Sequence, residues 1–311
     1  MNRRQLLSGF LLGTGGLLSA CGHLSAGTDT RPQLAITIDD FNMGDGPLMT
    51  GAQKHEAILR ALKAAGIQAA GFVTGKYIDN DPARRHLEAW VADGHLVGNH
   101  TYRHAYHGGA EPGDLAADID DVAVLIKDYA TWRPLFRFPY LAEGSTTVSR
   151  DAHRAVLAAR GLKNAYVTID ASDWYVSDRL IARLRRDPGA DVTPYGDFLV
   201  AHLLSRARFY DALARDVLGF SPPHTLLIHH NLTTALFLPR ILSAFSDAGW
   251  AAIDADTAFA HPVYASQPDI APCANSLIWQ LSSADGRFAH RLRTPGEDGP
   301  YEQSAMDALG L

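Results

Sequence analysis

Short apolar runs alternate with longer helical stretches along most of this chain, and this alternation restricts the possible folds strongly. The apolar runs have strand character and lie at residues 34–38, 68–73, 95–98, 135–137, 165–169, 198–202, 225–228 and 250–253. The stretches between them carry apolar residues three and four positions apart, which is the spacing of one helix face, at residues 52–65, 82–93, 114–129, 149–160, 206–218 and 235–248. Strands that alternate with helices predict a parallel α/β architecture.

Length and motif content favour a barrel over an open sheet. A chain of 311 residues suits a closed or nearly closed (β/α) barrel. No Gly-x-Gly-x-x-Gly motif follows the first strand, which counts against a dinucleotide-binding fold. The alternation weakens after Pro262, so we expect one catalytic domain at residues 33–261 and an irregular C-terminal extension at residues 262–311.

The first residues have the order of an export signal. Arg3 and Arg4 precede an apolar run at residues 6–18. The sequence Leu18-Ser19-Ala20-Cys21-Gly22 then resembles a bacterial lipobox, in which Cys21 becomes the lipidated first residue of the mature protein. The alternative is an ordinary signal peptide with an incidental cysteine.

These features predict a signal at residues 1–21, a tether at residues 22–32, and an exported lipoprotein of the periplasm or cell envelope. Cys21 would anchor it to the membrane, and the other cysteine, Cys273, would then have no partner for an intramolecular disulfide. The net charge of −6 offers no basic field for a polyanion, so we expect no nucleic-acid partner.

Titratable residues follow five of the predicted strands. The segments are Asp39-Asp40, Asn99 to His104, Arg137 to Tyr140, Asp170 to Trp174, and His229-His230-Asn231. In a parallel barrel the carboxyl ends of the strands meet on one face, where catalytic groups gather. The sequence therefore predicts one site that draws on all five segments.

Adjacent carboxylates at a strand end need a cation, a shared proton or contact with water, because two like charges repel each other. Taken alone, Asp39 and Asp40 also fit a turn or a helix cap. His100 and His104 are four positions apart, which on a helical turn places both imidazoles within reach of one metal ion; the alternative is two surface histidines. One carboxylate and two imidazoles form a three-ligand set that suits catalytic zinc and leaves positions open for water and substrate.

The remaining candidates each have a structural alternative. An arginine such as Arg137, which leaves a buried strand, is expected to pair with an acid. Asp173 and Trp174 fit a turn and a core aromatic as well as a site. A lone buried histidine such as His229 is more often structural, but its position at a strand end favours a functional role.

Together these segments resemble the five motifs of the NodB-type polysaccharide deacetylases, carbohydrate esterase family 4. The motifs occur in the family's order between residues 34 and 230. Two departures are Ile38, where an aromatic residue is more usual, and His230, where Asp is common. The resemblance implies a distorted (β/α)7 TIM-like barrel that hydrolyses an acetamide on an N-acetylated sugar with the help of a metal ion.

The resemblance also implies individual roles. Asp40, His100 and His104 would hold Zn²⁺ or another divalent metal. Asp39 would be the general base, and Arg137 would hold Asp39 in place and ionised.

The resemblance further implies that His229 would be the general acid and that Asp173 would orient it, with His230 as the alternative acid. The residues expected to contact the substrate are Tyr140, whose N–H would help stabilise the oxyanion, Pro139 and Trp174.

The expected function is removal of acetyl groups, N-acetyl above all, from a cell-envelope or extracellular polysaccharide or oligosaccharide. The alternatives on the same ligand set are an O-acetyl esterase, a metal-dependent phosphoesterase and a catalytically silent carbohydrate-binding protein.

Overall fold

The computed structural model describes residues 31–109 and 111–311. The predicted export signal, Cys21 and most of the predicted tether lie outside these residues. Within the described part of the chain, no helix is both long and apolar enough to cross a membrane.

The strands of the described residues form a single sheet in which all pairings are parallel. They are β1 (Gln33–Asp40), β2 (Ala70–Val73), β3 (Leu96–Asn99), β4 (Trp132–Phe136), β5 (Lys163–Asn164), β6 (His224–His229) and β7 (Ala251–Ala252). Their order is β5-β4-β3-β2-β1-β6, and β7 pairs with the first residues of β1. The strand β1 therefore has β2 on one side and β6 on the other, and its side chains are buried from Leu34 to Asp39.

The extended segment that follows β5 closes this sheet into a barrel. The N–H of Ala165 donates to the carbonyl of Phe136 at the end of β4 (2.7 Å). On the other side, the N–H of Ile169 donates to Thr225 O (3.0 Å), and the N–H of Leu227 donates back to Ile169 O (3.1 Å). The segment thus joins β4 to β6, and the predicted α/β barrel is confirmed.

Helices surround the sheet, and most of them lie where the apolar spacing predicted them. Within the described residues they are α1 (Gly51–Ala65), α2 (Gly75–Ile78), α3 (Asp81–Ala92), α4 (Pro112–Ile126), α5 (Thr147–Ala159), α6 (Asp173–Arg186), α7 (Thr193–Leu218), α8 (Leu232–Asp247), α9 (Ala255–Phe259), α10 (Leu277–Asp285) and α11 (Pro300–Ala308). Short 3₁₀ turns occur at Pro139–Leu141, Pro262–Ala265 and Ala289–Arg291.

The helix α1 illustrates how local sequence sets these bounds. Thr50 and Gln53 form a reciprocal capping box at its first turn. Gly66 ends it in the left-handed conformation (φ 65°), which costs glycine little. Between these signals, Ile58 and Leu62 are fully buried against the sheet.

In two segments the structure differs from the prediction. The strand predicted at residues 198–202 is wrong, because these residues belong to α7. Leu199, Leu203 and Ala207 are buried at a spacing of four, so the apolar run is one face of a long helix. The helix α6 carried no predicted element, although it begins at Asp173, a residue predicted for the site.

The C-terminal part is more regular than the predicted irregular extension at residues 262–311, since α10 and α11 lie within it. The loop between them returns to the carboxyl ends of the strands, where Glu297 and Asp298 line a cavity together with Asp39 and Asp40. The predicted domain boundaries themselves stay a prediction.

Candidate active site

A cavity of about 580 Å³ opens at the carboxyl ends of the strands. It is lined by residues from all the predicted segments, among them Asp39, Asp40, His100, His104, Tyr140, Asp170, Trp174 and His229. Two more predicted residues, Arg137 and Asp173, are buried behind this lining and hydrogen-bond to it. The fold thus brings together residues that are up to 190 positions apart, as the strand-end argument predicted.

Asp40, His100 and His104 form the one group of potential metal ligands found within the described residues, and their ligand atoms lie within 4.8 Å of one another. Oδ1 of Asp40 is 3.2 Å from Nε2 of His104 and 3.6 Å from Nε2 of His100. This oxygen is buried, and no described residue donates a hydrogen bond to it. A buried carboxylate oxygen that faces two ring nitrogens is a site that fits a cation.

The ring of His100 is oriented for this role. Its Nδ1 donates a hydrogen bond to the carbonyl of Arg137 (2.7 Å), which leaves the lone pair on Nε2 facing the cluster. Burial, with His104 beside it, lowers the pKa of His100 to about 3. Burial also lowers the pKa of His104. Both rings are therefore neutral near pH 7, which is the form that binds a metal ion.

Unusual backbone geometry aims these side chains. Within the described residues, seven non-glycine residues have positive φ, and six of them lie in the loops of this site: Asp40, Phe41, Thr101, His104, Tyr140 and Leu141. Each such residue costs of the order of 1 kcal/mol and persists only where its surroundings hold it. At the end of β1, the turn from Asp39 to Asp40 (φ 78°) lets two adjacent carboxylates reach different partners.

The two histidines lie on a loop, so the predicted helical turn is wrong. Asp118 of α4, which is fully buried, holds this loop. Its Oδ1 accepts the N–H groups of Tyr102 (3.1 Å) and Arg103 (2.8 Å), and its Oδ2 is 2.8 Å from Nε2 of His107. These bonds replace the helical hydrogen bonds that the spacing suggested.

Asp39 lies beside the cluster and pairs with Arg137. Nη1 of Arg137 is 3.2 Å from both carboxylate oxygens of Asp39, and its Nε donates to Ala165 O (2.5 Å). The guanidinium also stacks over the ring of Phe72, 4.3 Å from the centroid. Burial raises the pKa of Asp39 to about 6 although Arg137 opposes the rise, so this carboxyl is ionised above that pH.

On β6, the strand next to β1, His229 is paired with Asp173. Nδ1 of His229 is 2.7 Å from Oδ1 of Asp173, and Oδ2 accepts the backbone N–H of His229 and the side-chain amide of Asn231, both at 2.9 Å. Burial disfavours a charged ring, but the Asp173 carboxylate outweighs burial and raises the pKa of His229 to about 10. The register of β1 and β6 pairs Asp39 with His229, so a base and a charged imidazole meet in one cavity.

Comparison with known proteins agrees with this arrangement. Residues 26–162 match the family profile described as Polysaccharide deacetylase. This part of the chain is therefore similar to the polysaccharide deacetylase family. A comparison with curated protein sequences found no match.

The chain is also similar to solved structures, two of which share its fold at low sequence identity. The chitin deacetylase of Colletotrichum lindemuthianum is 20% identical over 74% of this chain and 88% of its own, with a TM-score of 0.51. A CE4 family pseudoenzyme from Bacillus anthracis is 17% identical over 74% of this chain and 66% of its own, with a TM-score of 0.50. A family 4 carbohydrate esterase from Streptomyces lividans, in complex with acetate, is 21% identical over 73% and 95%, with a TM-score of 0.48.

Exposed aromatic side chains border the cavity. Tyr140 is 61% exposed and its ring contacts that of His104 (4.9 Å between centroids), while Trp174 is 40% exposed. Pro139, which the sequence predicted as a third substrate contact, is buried and is absent from the described lining, because it starts the 3₁₀ turn that presents Tyr140.

Sequence reasoning missed three residues that build the site. Asp118 holds the metal-ligand loop, and its signal was an acid within the apolar face formed by Leu115, Ile119 and Val122. Asp170 lies in one of the five predicted segments, but the sequence predicted no role for it. Glu297 lies in the C-terminal segment, and no local sequence pattern predicted that it lines the cavity.

Proposed function

We propose that this protein is a metal-dependent hydrolase that removes acetyl groups, N-acetyl above all, from a cell-envelope or extracellular polysaccharide or oligosaccharide. The observation that carries the proposal is the meeting of three elements in one cavity: the Asp40, His100 and His104 cluster, the Asp39–Arg137 pair and the His229–Asp173 pair. Amide hydrolysis needs all three functions, namely an electrophile, a base for water and an acid for the leaving nitrogen.

Asp40, His100 and His104 would hold Zn²⁺ or another divalent ion. A bound ion would polarise the acetyl carbonyl and make a nearby water more acidic. The ligand set leaves positions open for both, since it supplies only three donors.

Asp39 would remove the proton from the attacking water. Its carboxylate is 3.8 Å from Nε2 of His100, so a water that lies against the cluster is within its reach. Arg137 would hold both oxygens of Asp39 in place and favour the ionised form, against the effect of burial. The backbone N–H of Tyr140 would donate to the oxyanion as the acetyl carbon becomes tetrahedral.

His229 would donate its proton to the leaving nitrogen. Its ring is protonated at neutral pH because of Asp173, so the acid is ready before the substrate binds. Trp174 would form an apolar wall beside the acetyl methyl group or a sugar face.

The test is acetate release from N-acetylglucosamine oligomers by protein that lacks residues 1–21 and is loaded with Zn²⁺. We expect release that chelator abolishes and that Zn²⁺ restores. Asp39→Asn should be inactive with metal still bound, and His104→Ala should lose the metal. Asp120→Asn, an exposed substitution on α4, is the matched control and should behave as the wild type.

Parallel assays with O-acetylated xylan and chromogenic phosphate esters separate the other activities. Faster release from the O-acetyl polymer would replace the amidase proposal by an esterase. No turnover of any ester or amide by fully loaded protein would leave a silent carbohydrate-binding protein. The intact cluster and both intact pairs favour an active enzyme over this last reading.

We also propose that the protein is exported and anchored through lipid on Cys21. The support is the lipobox-like sequence at residues 18–22 that follows a charged and an apolar segment. Cys21→Ala protein should move from the membrane to the soluble fraction of the cell envelope. Equal membrane association of the two forms would contradict the proposal.

A further inference from the structure

One wall of the catalytic cavity is acidic and has no part in the reaction proposed above. It is formed by Asp170, which follows the barrel-closing segment, and by Glu297 and Asp298 of the loop between α10 and α11. We call these three residues the acidic wall. They line the same cavity as the metal-ligand cluster and His229.

The acidic wall is held in a fixed position. Glu297 forms an ion pair with Arg206 of α7 and accepts a hydrogen bond from the Tyr210 hydroxyl (2.9 Å). The adjoining Gly296 donates its N–H to Oδ1 of Asn275 (2.8 Å), and a Cβ at this position would lie only 2.8 Å from that oxygen. The loop is therefore already ordered, so binding of a ligand to its carboxylates would not cost the entropy of ordering the loop.

The acidic wall holds more negative charge than its neighbours neutralise. The Glu297 side chain is 2% exposed, and its Oε2 has no hydrogen-bond donor among the described residues. Nη1 of Arg293 is 3.8 Å from this oxygen, while Arg206 is bound to the other oxygen.

The other two carboxylates have still fewer partners. Asp170 is 9% exposed and accepts only the N–H of the next residue, Ala171, at 2.9 Å. Burial, and then the charge of Glu297, raises the pKa of Asp170 to about 8. No described residue bonds to the carboxylate of Asp298. At neutral pH Asp170 is therefore mostly protonated, and a cation in the cavity would favour its ionised form and offset the charges of Glu297 and Asp298.

We propose that the acidic wall binds the ammonium group of an amino sugar that neighbours the acetylated sugar being hydrolysed. The inference rests on the proposed function, because amide hydrolysis converts each N-acetyl group into an amine. An ammonium group has three N–H donors, and carboxylates are its strongest acceptors. The preferred substrate class is therefore a glucosamine oligomer that is already partly deacetylated.

The kinetic test compares two tetramers, N-acetylglucosamine that is fully acetylated and the same oligomer with one or two free amines. The Zn²⁺-loaded wild type should show a kcat/KM about tenfold higher for the partly deacetylated tetramers, the size expected of one charge-assisted hydrogen bond. Asp298→Asn should reduce this preference to about one. Asp247→Asn removes the same charge from the exposed face of α8 and should keep the preference.

Glu297→Gln provides a second variant in the same assay, with the melting temperature measured because Arg206 loses its ionic partner. A preference that survives both Asp298→Asn and Glu297→Gln would overturn the proposal. So would equal kcat/KM for the two kinds of tetramer in the wild type, even if acetate is released.

A binding test does not depend on turnover. Chelator-treated wild type should bind a fully deacetylated glucosamine tetramer in calorimetry, about tenfold more tightly than Asp298→Asn and more weakly at high salt. Equal binding by both proteins would overturn the proposal. The proposal would also be overturned if the wild type bound a second equivalent of Zn²⁺ and Asp298→Asn did not, because the acidic wall would then be a metal site. If no tetramer releases acetate, the proposed function fails, while calorimetry still decides whether the wall binds ammonium.

Discussion

Two adjacent histidines at the end of β6 belong to different regions of the molecule. His229 faces the catalytic cavity and pairs with Asp173. His230 turns away, stacks on Phe41 (5.4 Å between centroids) and lies with its Nε2 3.1 Å from Nδ1 of His55. His230 thus belongs to a buried histidine cluster behind β1, which we define as His55, His86, His95 and His230 around Trp90.

The difference between these neighbours lies mainly in their partners. His230 is buried, which lowers its pKa well below the usual range, and His55 adds to this effect. His229 is partly buried, and the carboxylate of Asp173 above all, with Asp40 and Asp39, outweighs the effect of burial and raises its pKa. Chemistry at this strand end therefore depends on which side chain meets an acid, and the histidine cluster has a structural role.

Substitution of the two histidines should give the largest contrast. His229→Gln should reduce kcat by a factor of about 10²–10⁴, the usual contribution of a general acid, with metal content close to wild type. His230→Gln should retain most of the activity. Acetate release and metal analysis on both proteins check this, and an inactive His230→Gln beside an active His229→Gln would reverse the assignment.

Removal of the carboxylate that holds the metal-ligand loop should affect the cavity and spare the histidine cluster. Asp118→Ala leaves the N–H groups of Tyr102 and Arg103 and the ring of His107 without their acceptor, so His104 loses its support. We expect metal affinity to fall about 10–100-fold, as for other groups that orient metal ligands. Competition titration with Zn²⁺ measures this. Asp120→Asn, two residues further along α4, is the control, and unchanged affinity in Asp118→Ala would show that the loop holds itself.

The pH dependence of activity should report the His229–Asp173 pair. A pKa of about 10 keeps the proposed acid protonated until the pH rises through that value, so activity should fall on the alkaline side only there. In Asp173→Asn the imidazolium loses its counter-charge, and the alkaline limb should move to lower pH. The pH profile of kcat checks the shift. An unmoved limb in that variant would assign the limb to another group.

The same pair should affect stability at alkaline pH. Because the folded pKa of His229 is above the ordinary value of 6.5, its stabilisation is complete below about pH 6.5 and is lost as the pH rises through 10. Metal-free Asp173→Asn should show a flatter dependence of unfolding free energy over this window. Urea titrations at several pH values measure it, and parallel curves for the two proteins would contradict the pairing.

The histidine cluster should show the opposite sign, with a smaller effect. Burial, with His86 next to it, lowers the pKa of His55 to about 4. As the pH decreases from about 6.5 to 4, the unfolded chain takes up a proton that the folded protein does not, so the free energy of unfolding decreases over this range. His230→Leu leaves the Nδ1 of His55 without its partner and should cost about 1–3 kcal/mol. The double variant His55→Leu/His230→Leu should lose part of the acid dependence. Urea unfolding at pH 5 and pH 7 checks both statements, and an unchanged acid slope in the double variant would show that these two rings do not set it.

The sequence alone determined the barrel and the strand ends that form the site. Periodicity separates strands from helices, and parallel strands must end on one face, so Asp39, His100, Arg137 and His229 could be brought together without coordinates. Prediction from the sequence failed where one pattern is compatible with two different structures. The apolar run at residues 198–202 fits a strand or a helix, and the four-residue spacing of two histidines fits a helical turn or the loop that is found.

Only the tertiary structure decided which partner each group meets. Positive φ at Asp40 separates it from Asp39, and the faces of β6 separate His229 from His230. Asp118 and Glu297 reach the site from a helix and a distant loop, and Asp170 gains its place in the cavity from Glu297. The physical reason is that charge, burial and hydrogen bonding act across space, whereas a sequence pattern reports only neighbours along the chain.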